Sequence, residues 1–403
     1  VDLIQATAVL LLAGYLAGKL AAKLGFPRIT GYLLAGVCLN PSLTPVVKPQ
    51  TLASLNMITP VVLGMISYMI GGGLRLEALQ RLRRGIAGIA LFQGAAPFAL
   101  SFALILLAGP WLGIVPEASL LDTYLPMALV LGAISMSSAP AAIVAIVHEC
   151  RARGAVTTTC FAVLALTDMA TVIAFALALG FAQPLASGSG ALSPFRMVVS
   201  PLLHILLSLG IGATVGWLLI PAVIPLSPAR GLPLLLVTAA AILACTFVAE
   251  ALGLSLILAN MVAGFVTVNR TNDEATLSVL ERIEELPFLL FFAFNGMSFD
   301  FQALEAAGAL TVLIVAGRKI GKYCGARFGA WLVDAPEEIR KYPGLVLLPK
   351  AGLTLGLAFT AREALPAFGA LLFNALILST LINMLVTPPL ARQALIRAGE
   401  NRA

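Results

Sequence analysis

Charge is what this sequence has least of. Asp, Glu, Lys and Arg make up 11% of its 403 residues, against about 25% in an ordinary globular protein. Cysteine is sparse too: Cys38, Cys150, Cys160, Cys245 and Cys324 are scattered, with no CxxC pair and no metal-ligand spacing, so they read as small apolar residues. No HExxH, GxSxG or paired catalytic acids occur, which sets an intramembrane hydrolase aside and predicts no enzyme. No long polar linker and no soluble domain appears, and the Gly/Ser run Ser187–Gly190 is read as a loop. Apolar residues are abundant, at 60%. At about 20 per membrane-spanning helix they amount to about twelve spans. A soluble enzyme, a disordered chain and a secreted disulfide scaffold are excluded. The chain reads as an all-α integral membrane protein.

Apolar stretches between charged or Pro/Gly-rich breaks give thirteen candidate spans, at about 3–21, 29–39, 52–73, 86–108, 124–148, 155–182, 195–223, 232–249, 254–267, 283–299, 308–332, 343–362 and 366–391. The net charge of +6 would suit nucleic acid in a soluble protein, but here its distribution has another meaning. Loops after odd-numbered spans, with the C-terminus, hold 17 Lys and Arg residues, and the opposite side holds three, Lys48, Arg196 and Arg362. Basic loops stay in the cytoplasm. The bias therefore predicts an outside N-terminus and a cytoplasmic C-terminus in the cell (inner) membrane, and no nucleic-acid partner. The Asn269-Arg270-Thr271 sequon then faces the cytoplasm and is inert. The first six spans also overlay the last six in length and breaks, with the seventh as connector. Seven spans separate the halves, so they are inverted, as in secondary transporters.

Against this background a few polar residues stand out, because a charge in mid-membrane costs at least about 2.5–3.5 kcal/mol. Of 19 acidic residues only Asp168 lies in the middle of a span, beside Thr167. It either caps a kink, pairs with a buried cation, or binds a proton or a monovalent cation. Span five carries Ile134-Ser135-Met136-Ser137-Ser138-Ala139-Pro140. Pro140 removes a backbone donor, and Ser135, Ser137 and Ser138 either satisfy the freed groups or ligate an ion. Its counterpart by the repeat is span twelve, with Pro349-Lys350-Ala351-Gly352. Two broken helices at corresponding positions point to a transport site. Span eleven contains Arg318, Lys319 and Lys322. One of Arg318 and Lys319, preferably Arg318, is expected to face inward and offset Asp168, while Lys322 snorkels to the interface. Asn383 is the neutral counterpart of Asp168, Glu250 reads as interfacial, and His204 as a packed, hydrogen-bonded residue. His148 is expected to be solvated.

Three motifs resemble those of the second family of monovalent cation:proton antiporters, the Kef-type and NapA-like branch. They are Gly25-Phe26-Pro27-Arg28-Ile29-Thr30-Gly31-Tyr32-Leu33-Leu34-Ala35-Gly36, Ala249-Glu250-Ala251-Leu252-Gly253-Leu254-Ser255, and Phe291-Phe292-Ala293-Phe294-Asn295-Gly296-Met297. The resemblance implies an NhaA-like antiporter fold with two crossed, discontinuous helices (spans five and twelve) beside the transport carboxylate. It implies ion-binding core helices at about 86–182 and 308–391, dimerisation helices at about 1–73 and 195–299, a homodimer, and elevator-like alternating access. Two departures matter. Thr167 stands where electrogenic relatives carry a second aspartate, and Lys350-Ala351-Gly352 replaces the Arg-Gly-Glu frequent in relatives. A single acid with Arg318 matches the electroneutral pattern.

The function expected is exchange of Na+ or K+ for a proton, with Asp168 as the shared site and no cofactor. Thr167, Ser135, Ser137 and Ser138 are the candidate ligands, Arg318, Lys319 and Lys350 the compensating charges, and Pro140, Pro349 and Gly352 the helix breaks. Two alternatives remain: a sodium-coupled symporter of an organic anion, kept open by Lys350, and the membrane part of a ligand-gated potassium efflux system.

Overall fold

In the computed structural model the described residues are 3–24, 26–43, 58–73, 76, 84–116, 118–186, 194–299, 301, 304–350 and 352–400. The loop expected at Ser187–Gly190 and the start of the third expected span, at 52–57, lie outside them. The described chain is helical throughout, without strands, and its contacts divide it into two compact units. The first comprises Val1–Ala17, Gly31–Arg81 and Val198–Ser298; the second comprises Gly18–Thr30, Leu82–Met197 and Phe299–Ala403.

Helices α1 (Leu3–Lys23), α2 (Arg28–Cys38), α3 (Ile58–Gly72), α8 (Pro194–Leu226), α9 (Leu232–Ala251), α10 (Leu256–Thr271), α11 (Ala275–Glu281) and α12 (Glu285–Met297) lie wholly or mainly in the first unit. Two of its buried polar side chains are tied across the unit: Asn260 Nδ2 donates to Thr246 Oγ1 at 3.0 Å, and Asn40 Nδ2 to the Met297 carbonyl at 2.8 Å. Glu250, read as interfacial, is exposed at the end of α9. His204, read as packed, instead lies on the exposed face of α8. That helix is apolar all round, so its sequence alone does not mark a buried side.

The second unit is built from α4 (Arg84–Trp111), a π-helical turn (Leu120–Tyr124), α5 (Leu125–Ser135), α6 (Pro140–Glu149), α7 (Ala155–Ala186), α13 (Leu304–Leu332), α14 (Glu337–Lys341), α15 (Pro343–Val346), α16 (Gly352–Ala364) and α17 (Gly369–Arg397). Within it α4 packs along much of α13. On α13, Gly317, Gly321, Gly325 and Gly329 recur every fourth residue and make one small-residue stripe. A Cβ at Gly321 would lie 2.4 Å from the Pro97 Cα, and one at Gly325 would lie 2.2 Å from the Phe92 carbonyl oxygen. Backbone thus packs on backbone, as small-residue interfaces in membranes permit. Gly325→Val is expected to force the pair apart at a cost of about 1–3 kcal/mol. Loss of folded, monodisperse protein on size-exclusion chromatography checks it, and unchanged yield and melting would contradict this packing.

Among the described residues, five helical segments are long and apolar enough to cross a membrane: Gly85–Trp111, Ala155–Ala186, Leu202–Leu226, Leu232–Ala251 and Gly369–Arg397. Shorter apolar helices accompany them, among them Arg28–Cys38 and Leu256–Thr271. Large apolar side chains also face outward, such as Leu107, Trp217 and Phe247. So much exposed apolar surface suits a lipid surround rather than water. Two of the apolar stretches are interrupted. The stretch 124–148 leaves helix at Met136–Ala139, and 343–362 leaves helix between Val346 and Gly352. Pro140 opens α6, where its missing N–H costs nothing because the first helical amides have no partner within the helix.

Candidate ion-binding site

Asp168 lies near the middle of α7, a helix of 32 residues. It is 1% exposed, and Ser135, Ser137, Ser138, Arg318, Lys322, Lys350 and Thr354 are equally buried. Buried polar groups need partners, and here the two interrupted segments supply them to each other. The Ala139 amide donates to the Pro349 carbonyl at 3.0 Å, joining the breaks by a backbone hydrogen bond. The Ser138 hydroxyl donates to the Leu347 carbonyl at 3.1 Å, and the Ser137 and Thr354 hydroxyls lie 2.7 Å apart. The crossing is a hydrogen-bonded unit in its own right.

Each break frees helix-end carbonyls with partial negative charge. Arg318 collects them: one Nη donates to Leu348 O at 2.7 Å, and the other to Ser137 O at 2.8 Å and Pro349 O at 3.4 Å. The planar guanidinium is suited to this, because its donors point in fixed divergent directions. Asp168 takes the opposite kind of group, accepting the Ser138 amide at 3.2 Å through Oδ1. Lys322 reaches the same serine, donating to Ser138 Oγ at 2.7 Å. Ser138 therefore stands between the carboxylate and the ammonium, with its amide toward one and its hydroxyl toward the other. Lys350 Nζ donates to Ser379 Oγ on α17 at 2.9 Å. Asn383, one turn further along α17, is also fully buried.

The structure thus brings together Asp168, Ser137, Ser138, Arg318 and the two breaks, while Lys350 lies at the second break and bonds toward α17. Other expected residues are placed differently. Ser135 spends its hydroxyl hydrogen on Leu131 O at 2.7 Å, and Thr167 on Val163 O at 2.9 Å, so both bond back to their own helices. Lys319 is only half-buried and makes none of these bonds, whereas Lys322, expected to snorkel, is 0% exposed. The reason is helical geometry: 318 and 322 are one turn apart on one face, and the crossing lies on that face. Residue type misled the sequence reading at Lys322, although its spacing from Arg318 was the signal that could have found it. Thr354 and Ser379 were missed because a lone hydroxyl in a helix is more often bonded to its own backbone. The side chain of Pro140 is not among the described ones, and Gly352 enters only as the first residue of α16.

Around the crossing, one buried carboxylate faces three buried cationic side chains among the described residues. Arg318 is offset by the carbonyls it binds. Asp168 is left as the one buried acid at the crossing among the described residues, with hydroxyl and carbonyl oxygens of two chain breaks nearby. No cluster of His, Cys, Asp and Glu able to hold a metal ion occurs among the described residues, so oxygen ligation around a single acid is the available chemistry.

Comparison with known proteins bears on the fold and the family. Over its full length the fold is similar to that of the sodium proton antiporter MjNhaP1 from Methanocaldococcus jannaschii, solved at pH 8, with a TM-score of 0.72, 17% identity and 98% of each chain covered. An electron-microscopy structure of the same antiporter gives a TM-score of 0.65 at 17% identity, covering 98% of this chain and 97% of that one. In sequence the chain is 25% identical to the Na(+)/H(+)-K(+) antiporter GerN of Bacillus cereus, over 96% of this chain and 94% of that protein. The sodium/hydrogen exchanger transmembrane family matches residues 7–394, nearly the whole chain, and the protein belongs to that family of multi-pass membrane exchangers.

Proposed function

We propose that this chain exchanges Na+ or K+ for a proton, one for one, with Asp168 as the group that holds either ion in turn. The observation that carries the reading is the Asp168 carboxylate bonded to the Ser138 amide inside a crossing of two interrupted helices. A buried carboxylate attracts a cation when ionised and loses that attraction when protonated, so the two ions exclude each other. Ser138, Ser137 and Thr354 contribute hydroxyl oxygens, and the break carbonyls not held by Arg318 contribute more.

Lys322 acts in this cycle as a tethered ammonium. It competes with the transported cation for Ser138, to whose hydroxyl it donates at 2.7 Å. One-for-one exchange moves no net charge, and the membrane potential, about 2.3 kcal/mol per elementary charge per 100 mV, does no work on it. Removing the competing ammonium improves cation binding. Lys322→Gln, whose amide can still donate to Ser138, is expected to lower the apparent KM for the cation severalfold.

The second unit, which contains Asp168 and both breaks, is the ion-carrying body in this reading. The first is the scaffold and the dimer contact, and a positive-inside orientation puts the C-terminus in the cytoplasm. Family membership favours antiport over the symporter and gated-efflux alternatives, since the related GerN is itself an antiporter. The test is dissipation of an imposed pH gradient in proteoliposomes by Na+, K+ and Li+ in turn, at clamped potential. Cation-dependent proton movement that ignores voltage is expected. An end-point that follows voltage overturns one-for-one exchange, and absence of cation-dependent proton movement overturns antiport.

A further inference from the structure

The helix that bears Asp168 has no cap of its own. The α7 helix begins at Ala155, and Thr158 N donates to the Gly154 carbonyl at 3.1 Å, so Gly154 is its N-cap residue. Glycine offers no side-chain oxygen to the free amides of the first turn. The missing acceptor comes from the other end of the chain. One oxygen of Glu400 accepts the Val156 amide at 2.7 Å; the other accepts the Thr157 amide at 2.9 Å and the Thr157 hydroxyl at 2.6 Å. These are the N2 and N3 amides that a local capping side chain would take. The Arg153 amide also donates to the Glu400 carbonyl at 3.2 Å.

The surrounding sequence is shaped to bring Glu400 there. After α17 ends at Arg397, Gly399 adopts a left-handed φ of 72°, which glycine takes without strain. Its amide donates to Ile396 O at 3.0 Å and the Glu400 amide to Leu395 O at 3.3 Å, the paired bonds of a Schellman turn. That turn aims the carboxylate back at α7, where it is 8% exposed. Gly154 makes the room, since a Cβ there would overlap the carboxylate. A local cap and the distant one are therefore mutually exclusive.

We infer that Glu400 is a positioning residue for the exchange site, locking the cytoplasmic end of α17 to the first turn of α7. These two helices flank the crossing: α7 supplies Asp168, and α17 supplies Ser379 to Lys350. A fixed end-to-end link keeps the carboxylate and the Lys350 side of the crossing in register, and a rigid helix transmits any slippage of its first turn to Asp168. The inference rests on Asp168 being the ion site, but its test has a readout that does not require transport.

The experiment compares wild type with Glu400→Ala and with Gly154→Ser/Glu400→Ala. The double variant restores a local cap in the space the carboxylate vacates, while leaving the link to α17 cut. Hydrogen exchange and thermal melting are read together with apparent cation KM. Glu400→Ala is expected to lose protection at residues 156–160, to melt earlier, and to raise KM severalfold. The double variant is expected to recover first-turn protection and melting, yet to keep faster exchange around Asp168 and the raised KM. If the double variant matches wild type in exchange around Asp168 and in KM, Glu400 is only a cap and the inference fails. Wild-type behaviour of Glu400→Ala also overturns it. Absent wild-type exchange activity would sink antiport instead, with hydrogen exchange still deciding the role of Glu400.

Discussion

Asp168→Asn is expected to reduce cation-driven proton movement at least about 100-fold in proteoliposomes, with the protein still folded. Asparagine keeps the shape of the side chain, and its Oδ1 can still accept the Ser138 amide that Asp168 accepts at 3.2 Å. What disappears is the charge and the titrating proton. Two unit charges 4 Å apart attract by about 4 kcal/mol at an effective dielectric constant of 20, and each 1.4 kcal/mol is tenfold in binding. Losing that attraction weakens cation binding by about three orders of magnitude, and the variant has no carboxyl to carry the proton back. The pH gradient should therefore persist when Na+ or K+ is added, as in empty vesicles. Melting close to wild type would show that the loss belongs to the site. Full exchange in the variant would remove Asp168 from the mechanism.

Arg318→Ala carries the second large effect, and it falls on stability first. The guanidinium donates to the carbonyls of Ser137, Leu348 and Pro349 at 2.8, 2.7 and 3.4 Å. Hydrogen bonds to a charged group contribute about 1.5–3 kcal/mol each, and removing one partner from a buried charged set costs about 3–5 kcal/mol. Alanine leaves carbonyls from both breaks without a donor and Asp168 with one counter-charge fewer. A loss of about 3 kcal/mol or more is expected, seen as a lower melting temperature in detergent and reduced yield. Arg318→Lys should recover part of it, since one ammonium can reach some of the carbonyls but lacks the planar fork. Wild-type melting in both variants would mean that the crossing holds without this clamp.

The two variants separate roles that composition alone runs together. Asp168 and Arg318 are both charges in apolar helices, yet one is expected to be dispensable for folding and essential for exchange. The other is expected to hold the two breaks together. The difference lies in their partners. Asp168 accepts a backbone amide that an asparagine can also serve, whereas Arg318 satisfies acceptors that no neighbouring side chain reaches.

Much of this could be read along the chain, for identifiable reasons. Apolar runs of membrane-spanning length report helices directly, because every backbone group in lipid must be bonded within its own segment. Pro140, Pro349 and Gly352 mark interruptions because proline lacks a donor and glycine favours the unwound state. Asp168 is conspicuous because acids are so scarce in mid-helix. The side-chain choices were another matter. Spacing alone pairs Lys322 with Arg318 on one face of α13, but that this face meets the crossing, so that Lys322 is buried and not snorkelled, is decided by packing. Whether Ser135 and Thr167 point at an ion or at their own backbone is a choice between hydrogen bonds of similar strength, and neighbouring helices decide it.

What the sequence determined by itself was class, helix breaks and the one acid worth watching, since each follows from local chemistry within a few residues. What only the tertiary structure decided were the encounters between distant segments. Pro349 meets Ala139, Lys322 meets Ser138, and Glu400 meets the first turn of α7 from 244 residues away. No local signal encodes such meetings, because a carboxylate near a chain end and a glycine before a helix are each unremarked alone. They acquire meaning when packing sets them against each other and an unsatisfied amide finds the acceptor its own neighbours lack.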